Sequence, residues 1–463
     1  MTNQNMKAKI ETPLDKFLND YVSKTPIYYK GVNLRNVYLV HAYILFHVYE
    51  SKKYVFLLKE FTRKVIACFL QWKGENILKE KRSFSGASKI RYVFVCGFSR
   101  DNHAFVILAD LIEKIKDKAS LLIVTDQGDV YDFYAEQGLS VIRLTASGFY
   151  IDPFIGKEEK STHAASVMSQ ARLYMDFAEK LYDEFSPKVV FTTQDYWVFD
   201  QCFVHMARKR NILTVTHMHG VVRDSSLNIF DHVFSDKIVL WGENHRRIFG
   251  RTYNDDRMII LGTSKYDYLL SYPGRPERNY ITLAINTLIP KTNIEIVLKV
   301  MGALSRLPAH IKEKYTFMLK LHPALNLRTW KKTMKILAKR ADLGMSWDVR
   351  LSDNAEVLYR SKLLIVSGVS SVALEAMICG VSVIEVLIDK EDRGGIFMHT
   401  PGLLFPIARL TEEICRRIED DDYSAEVLNK HKMFVQKEIS LFHSSAKEIE
   451  IVESFIKERH QEV

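Results

Sequence analysis

Leu363-Leu-Ile-Val-Ser-Gly-Val-Ser-Ser-Val-Ala-Leu-Glu-Ala-Met-Ile-Cys-Gly-Val-Ser-Val-Ile-Glu385 is the stretch on which the reading of this chain turns. Leu363 to Val366 is an apolar run too short for a helix, and it ends in the small residues Ser367 and Gly368. Ser370 and Ser371 follow, and Val372 to Cys379 resumes with helical spacing until Gly380 stops it. Val383 to Val386 reads as the next strand. Strand, small-residue turn, helix and strand make one βαβ unit with hydroxyls at its first turn. A helix start carries unpaired N–H groups and a partial positive charge, so it receives phosphate well. Serines there add donors without bulk, although Ser370 or Ser371 serves equally as a plain N-cap.

A second element points to the same chemistry. Phe317 to Asn326 begins as an apolar strand and runs into His322-Pro323. Proline lacks an N–H, so the strand stops there and the histidine sits at its carboxyl edge. Lys320 lies two residues earlier, on the same side of the strand. In open α/β sheets ligands bind at the carboxyl ends of the strands.

His322-Pro323, followed by Ser370-Ser371 ahead of a helix containing Glu375, resembles the nucleotide-binding half of GT-B glycosyltransferases that build bacterial surface polymers. That group includes sialyl- and Kdo-transferase-like capsule enzymes and the CDP-glycerol glycerophosphotransferases of teichoic acid synthesis. Val215-Thr-His-Met-His-Gly220 is similar to their "HG" strand end, and Ile259 to Asp267 to their "TGNPxxD" stretch, with its small residues in a different order. The resemblance covers roughly residues 90 to 400 and implies an α/β fold of the GT-B type, two Rossmann-like domains facing a cleft. It implies a donor site of His322, Pro323, Ser367, Ser370 and Ser371. Glu375 is added as a partner for ribose hydroxyls, or as an ordinary helix acid, and Lys320 as a further phosphate contact. His219 is the first choice of base for the acceptor, and Asp126 in Thr125-Asp-Gln-Gly-Asp129 the second. The latter resembles the acidic motif of bacterial sialyltransferases with its second acid missing. Asp195, Gly97, Gly220 and Gly262 complete the expected acceptor side of the cleft.

The rest of the chain is consistent with this division. At 463 residues two domains are expected, and 47% hydrophobic residues supply real cores. Residues 1–85 read as a mostly helical extension, 86–272 as the acceptor domain, and 273–445 as the donor domain, with Ser271 to Arg278 as linker. Residues 446–463 read as a last helix that returns to the first domain. Five widely spaced cysteines suit a reducing cytoplasm and argue against a disulfide framework or zinc site. Met1 to Lys16 is polar, so no leader peptide is expected. The net charge of +9 favours acidic partners, yet no nucleic-acid-binding signature is present. Val37 to Trp72 mixes aromatics with lysines and is read either as an interfacial membrane segment or as helices packed on the first domain.

Asp255-Asp256 and Asp420 to Asp422 lie in polar stretches and read as solvated charge. Helix dipole, serines and histidine suffice to offset phosphate charge, so no metal or other cofactor is expected. The expected activity is metal-independent transfer of a sugar from a nucleotide-activated donor, CMP- or CDP-linked by preference and UDP-linked otherwise. The acceptor would be a surface polysaccharide or lipid-linked glycan at the inner face of the membrane. The alternatives are glycerophosphate transfer, 2-epimerisation of a UDP-sugar and a non-catalytic scaffold.

Overall fold

The computed structural model describes residues 27–34, 37, 78–84, 89–97, 107–146, 162–193, 197–218, 220, 233–270, 272, 276–285, 290–322, 325–351, 354–367, 370–388, 403–439 and 445–461. The chain divides into two units. One comprises Met1–His219, Ile229–Val239 and Ser445–Val463, the other Gly220–Asn228 and Leu240–Ser444.

The first unit begins with a small antiparallel pair, β1 (Tyr28–Tyr29) and β2 (Val32–Asn33), followed by β3 (Leu78–Ser83). An α/β series follows: β4 (Tyr92–Cys96), α1 (Ala109–Lys114), β5 (Leu121–Thr125), α2 (Gly128–Glu136) and β6 (Val141–Ala146). It continues with α3 (Thr162–Phe185), β7 (Val189–Thr192), α4 (Val198–Lys209), β8 (Leu213–His217) and β9 (Lys237–Leu240). Seven strands of an eight-stranded sheet lie in the order β9-β8-β7-β4-β5-β6-β3. All neighbours are parallel except β3, which runs antiparallel to β6 along the edge. The sequence reading counted this stretch in the mostly helical extension of residues 1–85. Leu78-Lys-Glu-Lys-Arg-Ser83 is instead an edge strand, where charged side chains protect an exposed ladder. Residues 38–77, including most of the proposed interfacial segment, lie outside the described residues.

The second unit opens with α5 (Glu243–Phe249), β10 (Met258–Ile260) and α6 (Asp267–Leu270). Its main series is β11 (Tyr280–Ala284), α7 (Pro290–Leu304), α8 (Ala309–Lys314), β12 (Thr316–Lys320), α9 (Leu327–Arg340) and β13 (Trp347–Arg350). Then come α10 (Asn354–Tyr359), β14 (Ser361–Val366), α11 (Ser371–Ile378), β15 (Ser382–Leu387), β16 (Leu404–Pro406), α12 (Leu410–Glu419) and α13 (Asp421–Glu438). Its strands are all parallel, in the order β13-β12-β11-β14-β15-β16. The last helix, α14 (Ser445–Gln461), belongs to the first unit.

Numbered by appearance in each series, both sheets follow the order 3-2-1-4-5-6. This is the doubly wound Rossmann arrangement, in which the ligand crevice opens where the order reverses, between the first and fourth strands. Alternation decides which face each strand buries. Ile281, Leu283, Phe317, Leu319, Leu363, Ile365 and Ile384 share one core with Val297, Met301, Met334 and Leu337 from the covering helices. Residues 240–270 pack within the second unit: Trp241 lies against His245 and edge-on to Tyr266, and Tyr359 Oη donates to the Leu269 carbonyl. Residues 240–270 thus fall in the second unit, whereas the Pro/Gly-rich stretch suggested a boundary at 272/273. Among the described residues no helix is long and apolar enough to cross a membrane.

Candidate functional site at the strand ends

In the second unit the order reverses between β11 and β14, so the crevice is bounded by the residues that follow Ala284 and Val366. Ser367 comes directly after β14 and is buried, and Ser370 occupies the N-cap of α11 with φ −143° and ψ 127°. The hydroxyl of Ser370 makes no capping hydrogen bond, and only its carbonyl is engaged, accepting from Ala373 N at 3.1 Å. No acid stands in the first turn of α11. The capping role that a serine usually fills here is thus not taken, and the helix start keeps N–H groups to offer.

Lys320 is the strongest feature beside it. It is the last residue of β12, paired with Ala284, which is paired in turn with Val366. Two strand spacings place the Lys320 and Val366 backbones roughly 10 Å apart on one sheet face. The lysine is only 5% exposed and forms no hydrogen bond or ion pair with the described residues. Burial holds its pKa below the ordinary 10.5, with the negative charge of Glu375 opposing. Glu375, 4% exposed, stands one helical turn after Ser371 on the same side of α11. It also helps push the Tyr266 phenol well above its usual range, behind the larger effect of burial. The Tyr266 hydroxyl is fully buried and has no hydrogen-bond partner among the described residues. His322 is half-buried two residues past β12, and its carbonyl accepts from Leu325 N at 2.9 Å. Pro323 lies outside the described residues.

Lys320, His322, Ser367, Ser370, Ser371 and Glu375 therefore all belong to the carboxyl ends of β12 and β14 or to the helix that follows β14. Such a group grips an anion: one desolvated ammonium, a helix start and small hydroxyls.

The first unit's reversal falls between β4 and β7. Thr125 Oγ1 donates to the Cys96 carbonyl at 2.6 Å and accepts from Gln127 N, which ties the ends of β4 and β5 together. Asp126 follows β5, half-buried, and accepts from Gln127 Nε2 at 2.6 Å. Gly97 is dictated by close approach: a Cβ there would lie 2.5 Å from Asp200 Oδ2 and 2.9 Å from the Phe199 ring. Asp200, in the first turn of α4, is fully buried and was not singled out from the sequence, where it reads as an ordinary helix acid. Gly262 has φ +82°, a backbone conformation that calls for glycine, whereas a side chain at Gly220 would meet open space. His219 and Asp195 lie outside the described residues. The neighbouring His217, at the end of β8, places Nε2 2.8 Å from Glu448 Oε1 of α14, with both side chains buried. Of the acidic stretches, Asp255 pairs with Arg246, and Asp420 caps α13 by accepting from Tyr423 N at 2.9 Å.

No family model matches the chain, and no curated protein matches it in sequence. Solved structures do match in fold. A glycosyltransferase from Rickettsia africae ESF-5 is 13% identical with a TM-score of 0.52, covering 80% of this chain and 99% of its own. UDP-GlcNAc 2-epimerase from Neisseria meningitidis, bound to UDP-GlcNAc, is 13% identical with a TM-score of 0.53, covering 80% and 100%. HepE from Anabaena, in complex with UDP and glucose, is 14% identical with a TM-score of 0.50, covering 81% and 100%. At these identities the likeness is one of fold, and the fold that this chain shares with them is GT-B.

Proposed function

We propose that the chain transfers a sugar from a nucleotide-activated donor to a glycan or lipid-linked acceptor, with the donor's phosphates held by the second unit. The observation that carries this reading is the buried Lys320 beside the uncapped start of α11 at the switch point. Leaving nucleotide phosphate develops charge, and catalysis consists largely of preorganised groups that stabilise it. Lys320, the N–H groups of α11 and the hydroxyls of Ser370 and Ser371 supply that stabilisation without a metal. Glu375 orients the ammonium or takes the ribose hydroxyls, and His322 donates at the strand end. The base for the acceptor hydroxyl belongs to the first unit, with His219 and Asp126 as its candidates.

The sequence resemblance favours CMP or CDP, whereas HepE and the epimerase were each solved with a uridine nucleotide or its sugar. The epimerase also keeps 2-epimerisation as the second reading. A melting panel with CMP, CDP, UDP, GDP and ADP, with and without EDTA, tests both donor and metal. Stabilisation that survives EDTA and is lost in Ser370→Ala/Ser371→Ala is the expected result. If no nucleotide moves the melt, the phosphate site is refuted. Interconversion of a UDP-sugar without acceptor would instead establish the epimerase.

A further inference from the structure

Helix α9 carries six of the chain's nine excess positive charges within fourteen residues, and it contains no acid. Trp330, Met334 and Leu337 are buried and seat it on the core of the second unit. That anchoring turns Arg328, Lys331, Lys332, Lys335, Lys339 and Arg340 outward, and all six are exposed. None of them forms an ion pair or hydrogen bond with the described residues. Several cations elsewhere in the same unit are paired, Lys299 with Glu295, Arg350 with Asp348, Arg360 with Glu356 and Lys430 with Glu426, whereas α9 offers its own no acid at all. Within α9 the pairs Arg328/Lys332, Lys331/Lys335 and Lys335/Lys339 are four residues apart, where like charges repel. A helix that only needed solvation would not gather them.

Ile336 sits on this cationic face and is 68% exposed. Its neighbours one turn away are Lys332, Lys339 and Arg340. An apolar side chain inside a set of unpaired cations matches a bilayer with anionic headgroups: the phosphates offset the cations while Ile336 reaches the acyl boundary. The lysine and arginine stems lie along that boundary with their charged ends in the headgroup layer. Nucleic acid would satisfy the charges but offers nothing to Ile336. We propose that the solvent face of α9 docks the protein on an anionic membrane surface. This extends the proposed function by naming the surface that would bring the enzyme to a lipid-linked acceptor. Its test involves neither nucleotide nor turnover, so its failure leaves the transferase reading standing.

The full chain is sedimented with vesicles of phosphatidylcholine alone and with vesicles containing about one-third phosphatidylglycerol. Binding to the anionic vesicles only, weakening with added salt, is expected. Each cation near such a surface contributes about fivefold, so Lys332→Gln/Lys335→Gln/Lys339→Gln should bind about a hundredfold more weakly. Ile336→Ser should lower binding severalfold at high salt, and circular dichroism checks that both variants keep their fold. Equal binding to neutral vesicles, or unchanged binding by the triple variant, overturns the proposal. So does binding of RNA or heparin without binding of vesicles, which would mark the face as a polyanion site.

Discussion

Replacing Lys320 by methionine separates the cost of a buried charge from its use. The side chain keeps its reach and loses its ammonium. In the empty protein that ammonium is desolvated at 5% exposure, and its pKa is lowered by burial more than Glu375 restores it. Lysine in the unfolded chain titrates near 10.5, above the folded value. Between the two values the unfolded state holds more protons, so this group makes stability rise with pH, and its penalty is fully present below the folded pKa. Lys320→Met removes the penalty but leaves Glu375 without that opposing charge. Lys320→Met/Glu375→Gln removes both, and its melting advantage over the wild type should be largest near neutral pH and shrink toward pH 10.

Nucleotide binding should move the other way. A hydrogen bond to a charged phosphate is worth about 1.5–3 kcal/mol, and a loss of about 2 kcal/mol weakens binding about 30-fold. At a nucleotide concentration of about 100 times the wild-type dissociation constant, stabilisation is about 2.7 kcal/mol, and in the variant it falls to about 0.9 kcal/mol. For a domain of about 150–250 residues this reduces a shift of about 5–11 °C to about 2–4 °C. Differential scanning fluorimetry reads both quantities in one titration. A variant that keeps the full nucleotide shift refutes the placement of phosphate at Lys320, however its empty form melts. Should the single variant fold poorly, the double variant carries the same test.

Three further outcomes check other parts of the structure. Gly97→Ala forces a Cβ against Asp200 and Phe199, and denaturant unfolding should show a loss of about 1–3 kcal/mol. Arg417 is fully buried, donating to Glu413, Ser382 Oγ and the Val383 carbonyl. Arg417→Met leaves the buried Glu413 with only the Tyr423 hydroxyl as donor among the described residues and should cost about 3–5 kcal/mol, with partial recovery in Arg417→Met/Glu413→Leu. His205 is held near about 4, and His245 and His431 near about 3, in each case chiefly by burial. Their unfolded value is 6.5, so stability is full above it and falls as pH drops toward 3, steeply enough to follow by melting between pH 7 and 5. Glu438, raised by burial, opposes this trend, and His431→Gln should flatten it.

The parallel strands were legible because they are buried on both faces and carry continuous apolar runs: Tyr92 to Cys96, Val189 to Phe191 and Leu363 to Val366. Leu78–Ser83 was not, since an edge strand needs charge where an inner one needs valine. Strand order was invisible, because the sequence lists the strands without saying which pair. Lys320 was found but undervalued, as only pairing with Ala284 shows it sealed beneath the crevice. Asp200 went unread and Asp420 was read only as solvated charge, for a shared reason. An acid in or just before a helix's first turn looks like a dipole partner whether it is solvated, buried or capping.

The two switch points share one topology, and their local charge decides which suits a nucleotide. In the first unit the turn after β4 leads to Gly97, pressed against the buried carboxylate of Asp200 in the first turn of α4. A phosphate brought there would meet a buried acid and, among the described residues, no buried lysine. In the second unit the equivalent helix has no acid in its first turn and no side-chain cap, and its neighbouring strand ends in a buried lysine. The same helix start therefore stands beside an acid in one unit and a lysine in the other. Asp200→Asn should leave nucleotide affinity unchanged if phosphate goes only to the second unit. A gain in affinity would show that the first unit's crevice had been closed to phosphate by that one carboxylate.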